Sequence, residues 1–331
     1  MAQIPNASQR AAQDWMVDER HEGQRIDNFL ITFLKGMPKS HVYRILRTGQ
    51  VRVNGRRIKP AYRLQIQDKV RIPPVSLADT TATGQPSANQ CQRLREAILL
   101  DEQGVLVVNK PAGVAVHGGS GVSFGVIEIL RALFADAPLL ELVHRLDRDT
   151  SGCLMVARKR SVLRHLHDLL RADGPIEKRY VALLAGRVKR EKFTVRASLK
   201  KNVLRSGERV VRVDEDEGRE SATEFRVLER FADATLVEAI PRTGRTHQIR
   251  VHAAHIGHPI AGDPKYGTDG VNRRFTECGV KRLFLHAASI TFTLPGKPEA
   301  VRVEAPLPTE LERVLTNLRH ADSSRPGSVT P

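Results

Sequence analysis

Apolar residues recur at helical spacing in the first patterned stretch of the chain. Ile26, Phe29, Leu30, Phe33 and Leu34 share one face, which predicts a helix over residues 25–34. Gly36 is the expected stop and Ser40 the expected N-cap of a second helix over residues 41–48. That helix turns Val42, Ile45 and Leu46 inward and leaves Lys39, Arg44 and Arg47 outside; Gly49 ends it. Residues 51–53 alternate apolar and polar, then meet Asn54-Gly55, a hairpin signal. A strand over residues 67–72 closes the segment. Before it lies a polar arm, residues 1–19, expected to be flexible apart from a short strand at Trp15–Val17. Residues 76–93 hold Ser, Thr, Ala, Gly and Pro with almost no large apolar side chains, the composition of a linker.

Beyond the linker the pattern changes to short apolar runs bounded by turns. Residues 97–100 and 105–108 predict two strands around the turn Asp101-Glu102-Gln103-Gly104. Strands are also expected at 153–157, 181–185 and 235–240, and a last one over residues 283–294. Between them, helical spacing predicts helices over residues 124–134, 161–171 and 246–256, with a terminal helix over 309–318 opened by Thr309. Residues 193–226 alternate and are heavily charged, as expected of β-hairpins with exposed loops. Residues 319–331 are expected to form a disordered tail. The pattern predicts an α+β domain, residues 94–318, around a mainly antiparallel mixed sheet, preceded by a small module over residues 20–75.

Charge sharpens this picture. The chain has 331 residues with 53 Lys+Arg against 37 Asp+Glu, a net charge of +16. Residues 22–79 carry twelve Lys/Arg and four Asp/Glu, so half the excess sits on the small module. Such a surface suits a polyanion. No apolar run reaches membrane-spanning length, and the first residues lack the apolar core of a secretory signal. Three scattered cysteines, Cys91, Cys153 and Cys278, fit a reducing cytoplasm rather than a disulfide framework. His247, His252, His255 and His258 crowd one stretch, but no His-Glu-x-x-His or Cys-x-x-Cys accompanies them, so no metal is expected. His165 and His167 read as solvated side chains.

One stretch concentrates polar chemistry. Val-His-Arg-Leu-Asp-Arg-Asp-Thr-Ser-Gly, residues 143–152, leads into the apolar run 153–157. Asp147 and Asp149 interleave with Arg145 and Arg148, and Thr150-Ser151-Gly152 suits a tight turn. Taken alone, this is either a solvated charged turn or a carboxylate presented for chemistry on a loop backed by a strand.

His144-Arg145-Leu146-Asp147-x-x-Thr150-Ser151-Gly152 resembles the signature of the pseudouridine synthases that modify ribosomal and transfer RNA. Lys110-Pro111, Lys178-Arg179-Tyr180 and Gly244-Arg245-Thr246-His247-Gln248-Ile249-Arg250 resemble further motifs of that family, in order, as does Gly257 to Gly267. The helix–helix–hairpin–strand pattern with Val-x-Val-Asn-Gly is similar to the S4 RNA-binding module; Gln67 stands where that module often has Gly. The resemblance implies Asp147 as catalytic nucleophile and Tyr180 stacked on the target base. It implies Arg250 as the salt-bridge partner of Asp147, with Arg245 as the competitor. It further implies that Arg145 fills the space left by a flipped-out uridine. His144, Arg148 and Arg245 join it as RNA-binding residues, with Lys39, Arg44, Arg47, Arg52 and Arg56 on the S4-like module. Asp149 is expected to brace the loop. The run from His117 to Glu128 resembles the branch acting on 23S rRNA of the large ribosomal subunit. Isomerisation needs no redox change or energy input, so no cofactor is expected. A cytoplasmic monomer with no membrane and no metal completes the expectation. Two rivals remain: a non-catalytic RNA-binding protein on the same scaffold, and a zinc nucleobase deaminase, whose Pro-Cys-x-x-Cys and His-x-Glu are missing.

Overall fold

The computed structural model describes residues 9–10, 12–34, 37, 39–76, 85–118, 124–171, 176–203 and 209–324. The chain divides into two units, residues 1–85 and 86–331.

In the first unit, β1 (Gln9–Arg10) and β2 (Gln13–Met16) precede α1 (Ile26–Phe33) and α2 (Lys39–Arg47). Then come β3 (Arg52–Val53), β4 (Arg56–Arg57), β5 (Lys69–Ile72) and β6 (Val75–Ser76). Strands pair in the order β2-β5-β3-β4, and β1 pairs β6. The supposed arm is thus tied into sheets from Gln9 onward. Ile26, Phe29, Leu30, Val42, Ile45, Leu46, Val53 and Val70 are buried together, which is the apolar face that the spacing predicted. Ser40 falls in the first turn of α2, not before it, because that helix starts earlier; Gly36 lies outside the described residues. Asn54 and Gly55 both have positive φ, 49° and 75°, as a type I′ turn requires. Buried Asp68 locks this corner, accepting from Asn54 Nδ2 at 2.7 Å, the Tyr62 hydroxyl at 2.9 Å and Gln65 N at 2.9 Å. Gln67 sits at φ 68°, a left-handed position where glycine would relieve strain.

The second unit opens with α3 (Ala88–Glu96), a helix inside the stretch expected to be linker. Its capping box was legible: Ser87 Oγ accepts from Gln90 N at 3.2 Å while Gln90 Oε1 accepts from Ser87 N at 2.9 Å. Next are β7 (Ile98–Glu102), β8 (Val105–Lys110), α4 (Val126–Leu133), β9 (Glu141–Leu142), β10 (Ser151–Ala157) and α5 (Arg160–Arg171). They are followed by β11 (Glu177–Ala185), β12 (Lys192–Arg196), β13 (Leu199–Val203), β14 (Arg209–Val213), β15 (Ala222–Arg230) and β16 (Ala234–Pro241). The chain continues through α6 (Gln248–His255), α7 (Asp269–Glu277), β17 (Leu285–Thr293), β18 (Ala300–Glu304) and α8 (Thr309–Ser323). One sheet runs β12-β15-β16-β11-β17-β10-β8-β7, with β9 added to β10 and β18 to β17. Only β10 and β17 are parallel in it, so the sheet is mixed and mainly antiparallel. β13 and β14 form a separate hairpin.

Several boundaries depart from the sequence pattern for physical reasons. Residues 151–152 belong to β10 rather than a turn; the turn lies earlier, closed by Thr150 N on Asp147 O at 3.2 Å. β18 follows the strand expected to be last. The expected tail begins inside α8, because Arg319 grips Glu229 at 2.9 and 2.6 Å and Asp322 accepts from Ala232 N at 3.0 Å. Residues 325–331 lie outside the described residues, as does Gly119 to Ser123. His165 and His167 are half-buried rather than solvated, with Nε2 bound to Thr293 O at 3.0 Å and Val143 O at 3.1 Å.

β10 and β17 meet only at Ser151↔His286 and Gly152↔Ala287. A Cβ on Gly152 would lie 2.2 Å from Ala287 O, and φ there is +108°. Gly152→Ala is therefore expected to destabilise the protein by at least about 3 kcal/mol through combined clash and strain, measured as a lowered urea midpoint.

Candidate active site

Side chains from β8, α6 and β11 surround the loop that carries Asp147. The loop between β9 and β10 is fastened before it can present a side chain. Leu146 is buried, and His144 Nε2 accepts from Met155 N at 3.1 Å. Burial and the nearby Lys178 charge push the His144 imidazole down to about 3, so it is neutral and serves as an acceptor. Lys110, fully buried at the end of β8, donates to Pro111 O, Val114 O and Arg148 O at 2.8, 2.9 and 2.9 Å. Three carbonyls match the three donors of an ammonium. Burial still lowers the Lys110 pKa, to about 7, against the raising charges of Asp149 and Asp147.

Asp147 faces Arg250 in the first turn of α6. Arg250 Nη1 donates to Asp147 Oδ2 at 3.2 Å. The rest of that guanidinium grips a second carboxylate: Nε donates to Asp263 Oδ2 at 2.7 Å and Nη2 to Asp263 Oδ1 at 2.8 Å. Asp263 also accepts from Lys265 N at 2.9 Å and Tyr266 N at 3.1 Å. Side-chain exposure is 0% for Asp263, 6% for Arg250 and 25% for Asp147. Of the three, Asp147 is the most exposed and Asp263 is fully enclosed. Burial raises the Asp263 pKa, but the Arg250 hydrogen bonds and charge bring the net value below the ordinary one. Burial would depress Arg250; Asp263 first, and then Asp147, raise it instead.

Tyr180 on β11 is buried, and burial followed by the Asp147 charge raises its pKa, so it remains a phenol. Asp149 pairs with Arg148 Nε at 3.2 Å. Arg245 donates to Glu220 O at 3.3 Å, so Arg250 and not Arg245 meets Asp147. Arg145 and Arg148 are exposed beside the acid. On the first unit Arg44, Arg47, Arg52 and Arg56 are exposed, with no carboxylate partner among the described residues; Lys39 lies in α2. The four clustered histidines do not converge: His252 bonds Ser221 at 2.9 Å and His258 bonds Ala185 O at 2.7 Å. No cluster able to hold a metal occurs among the described residues.

The sequence model described as RNA pseudouridylate synthase matches residues 104–255, and that of the S4 domain matches residues 24–70. The ribosomal large subunit pseudouridine synthase C of Escherichia coli (strain K12) is 56% identical over 302 residues, 90% of this chain and 94% of that protein. Its namesake from Pasteurella multocida is 53% identical over 93% of this chain and 94% of that protein. The chain belongs to the RNA pseudouridylate synthase family. Among solved structures, Human RNA Pseudouridylate Synthase Domain Containing 4 matches with a TM-score of 0.58 at 25% identity, covering 69% of this chain and 95% of that one.

Around Asp147 of this RNA pseudouridine synthase lie side chains to which the sequence assigned no role. Asp263 was visible only as part of the stretch after α6; its signal is an acid one glycine beyond the apolar residues Ile260 and Ala261. Lys110 carried a similar signal, a cation ending an apolar strand. His247 and Tyr266 had none beyond their motifs. A lysine at about 7 when folded and 10.5 when unfolded binds fewer protons folded between those values. It therefore makes stability rise with pH across that window. Lys110→Met is expected to flatten that rise, measured by urea unfolding at several pH values.

Proposed function

We propose that this enzyme isomerises specific uridines of 23S rRNA to pseudouridine, with Asp147 as nucleophile. The observation that carries the reading is the partly exposed Asp147 carboxylate held by the buried Arg250–Asp263 pair beside Tyr180. A carboxylate so held has its direction fixed before a base and ribose displace water from around it. Two relatives at 56% and 53% identity are named for the large ribosomal subunit, which supports the choice of RNA.

In this reading the target uridine leaves its stack. Asp147 engages the ribose–base unit while the N1–C1′ bond breaks. The freed base turns and C5 bonds to C1′; C5 then gives up its proton and N1, released from C1′, takes one up. Tyr180, a neutral phenol, lies against the base and excludes water. Arg145, exposed next to Asp147, fills the gap in the RNA stack. His144, Arg148 and Arg245 line the approach for the RNA backbone. Product and substrate are isomers with no net change in atoms or electrons, so the chemistry requires no cofactor. No described helix is long and apolar enough to cross a membrane; we place the enzyme in the cytoplasm as a monomer.

The S4 unit supplies affinity rather than chemistry. Arg44, Arg47, Arg52 and Arg56 meet phosphates, with Lys39 beside them. Each phosphate contact contributes about 0.7–0.9 to the slope of log affinity against log salt. Replacing those four arginines by alanine is expected to lower the slope by up to about 3 and to leave kcat at saturating RNA close to the parent value. Filter binding across a salt series measures it.

Asp147→Asn is expected to abolish tritium release from 23S rRNA labelled at uridine C5 while retaining RNA affinity. Its stability should stay within about 1 kcal/mol of the parent, because the side chain is partly exposed and Arg250 keeps Asp263. Retained turnover would remove Asp147 as the nucleophile.

A further inference from the structure

The second oxygen of Asp147 has a neighbour that the reaction just described does not use. His247 Nε2 lies 3.8 Å from Asp147 Oδ1, while Arg250 occupies Oδ2. His247 is the residue before α6, and its backbone is left-handed at φ 52° and ψ 18°. Non-glycine residues seldom adopt that conformation, although histidine and asparagine do so more readily than most. The strained backbone aims the ring at the nucleophile instead of continuing the helix.

The other ring nitrogen is tied down. His247 Nδ1 is 2.7 Å from the Tyr266 hydroxyl. That hydroxyl oxygen also accepts from Val211 N at 3.0 Å. With the backbone donor on its oxygen, the Tyr266 O–H is free to donate to Nδ1. The neutral imidazole then carries its proton on Nε2, directed at Asp147. Burial lowers the His247 pKa, and the charges of Arg250 and Lys265 act the same way against the raising charges of Asp147 and Asp263. The ring is therefore neutral.

Tyr266 is itself fixed from two sides. Leu199 and Val211 of the β13–β14 hairpin and Val251 of α6 form a small apolar cluster with Tyr266 and Val213 against it. The Arg250 guanidinium carbon lies 5.1 Å from the Tyr266 ring centroid. One tyrosine thus braces both side chains that address Asp147.

We propose that His247 is a positioning residue for the nucleophile, holding Asp147 Oδ1 through Nε2–H, with Tyr266 fixing its tautomer. The proposal rests on the reading of Asp147 as nucleophile. A contact of 3.8 Å in the free enzyme shortens when RNA excludes water, as catalytic hydrogen bonds commonly do. The pair Arg250 and His247 then fixes the plane of the carboxylate, one donor on each oxygen. Losing one donor lets the carboxylate rotate, and misplacement on that scale costs on the order of 10–100-fold in rate.

Two substitutions separate positioning from backbone structure. Asparagine tolerates the left-handed conformation but is too short to reach where Nε2 stands. Glutamine places an amide N–H near Nε2 but strains the backbone. The expected result is that His247→Asn keeps its melting temperature and loses kcat on the order of 10–100-fold. His247→Gln should melt lower and retain the greater part of kcat. Tyr266→Phe keeps the ring beneath Arg250 and should reduce kcat alone, yet add nothing in the double variant with His247→Asn. A purely structural His247 gives the reverse order, with the asparagine variant the more active, and that order would overturn the proposal. Additive losses in the double variant would overturn the role of Tyr266. Asp147→Asn belongs in the same assay: turnover there would remove the nucleophile assignment and the positioning proposal with it. Turnover lost in Asp147→Asn, together with the reversed order at His247, would overturn the positioning alone.

Discussion

An arginine and an aspartate buried together are costly to desolvate, and here that cost is offset by geometry. Arg250 forks onto Asp263 through two short hydrogen bonds, and two backbone amides complete the acid's shell. Such a pair is weak evidence for stability in itself; its value lies in specifying an arrangement. The arrangement leaves one guanidinium nitrogen over, and that nitrogen faces Asp147. Asp263 neutralises the guanidinium, so the site does not present a bare cation that would trap any phosphate. It presents a carboxylate whose direction is set from beneath.

The protein spends its buried polar groups on holding loops. Lys110 clamps the loop of Asp147 from the β8 side, and His144 clamps it from within. Gln248 does the same for the loop before α6: its Oε1 accepts from the Thr243 hydroxyl at 2.6 Å and Arg245 N at 3.0 Å. Each case ties a side chain to main-chain groups, three carbonyls for Lys110 and one amide for the His144 ring and for Gln248 Oε1, which rigidifies a loop. The sheet supplies the fixed frame and these polar clamps carry its precision to the loop tips.

Much of this was legible in residue order. Apolar runs such as 105–108 and 153–157 become strands because burial on both faces selects them, and the S4-like helices follow their stripe of Ile26, Phe29 and Leu30. What failed to show was anything decided by distant partners. α3 lies in a stretch whose composition reads as linker because only Leu94 on it is buried. The C-terminal helix outlasts its apolar pattern because Glu229 and Ala232, far away in sequence, hold Arg319 and Asp322. In the site, the resemblance favours Arg250 over Arg245 without giving a reason; the start of α6 at Gln248 points one inward and leaves the other on the preceding loop. Asp263 is legible as a motif acid but not as the third member of a triad, since nothing local says which charge it meets.

Strand order adds a temporal constraint. β17, residues 285–293, lies between β11 and β10, although it is among the last strands to be made. Until it emerges, β7, β8 and β10 can zip on one side and β11, β15 and β16 on the other, each with an unpaired edge. The Asp147 loop belongs to the first group and Tyr180 to the second, so β17 is needed to join them. A ribosome adds roughly 5–20 residues per second, so the halves wait on the order of ten seconds for their keystone. The two halves of the sheet are thereby joined late, when β17 enters between β11 and β10.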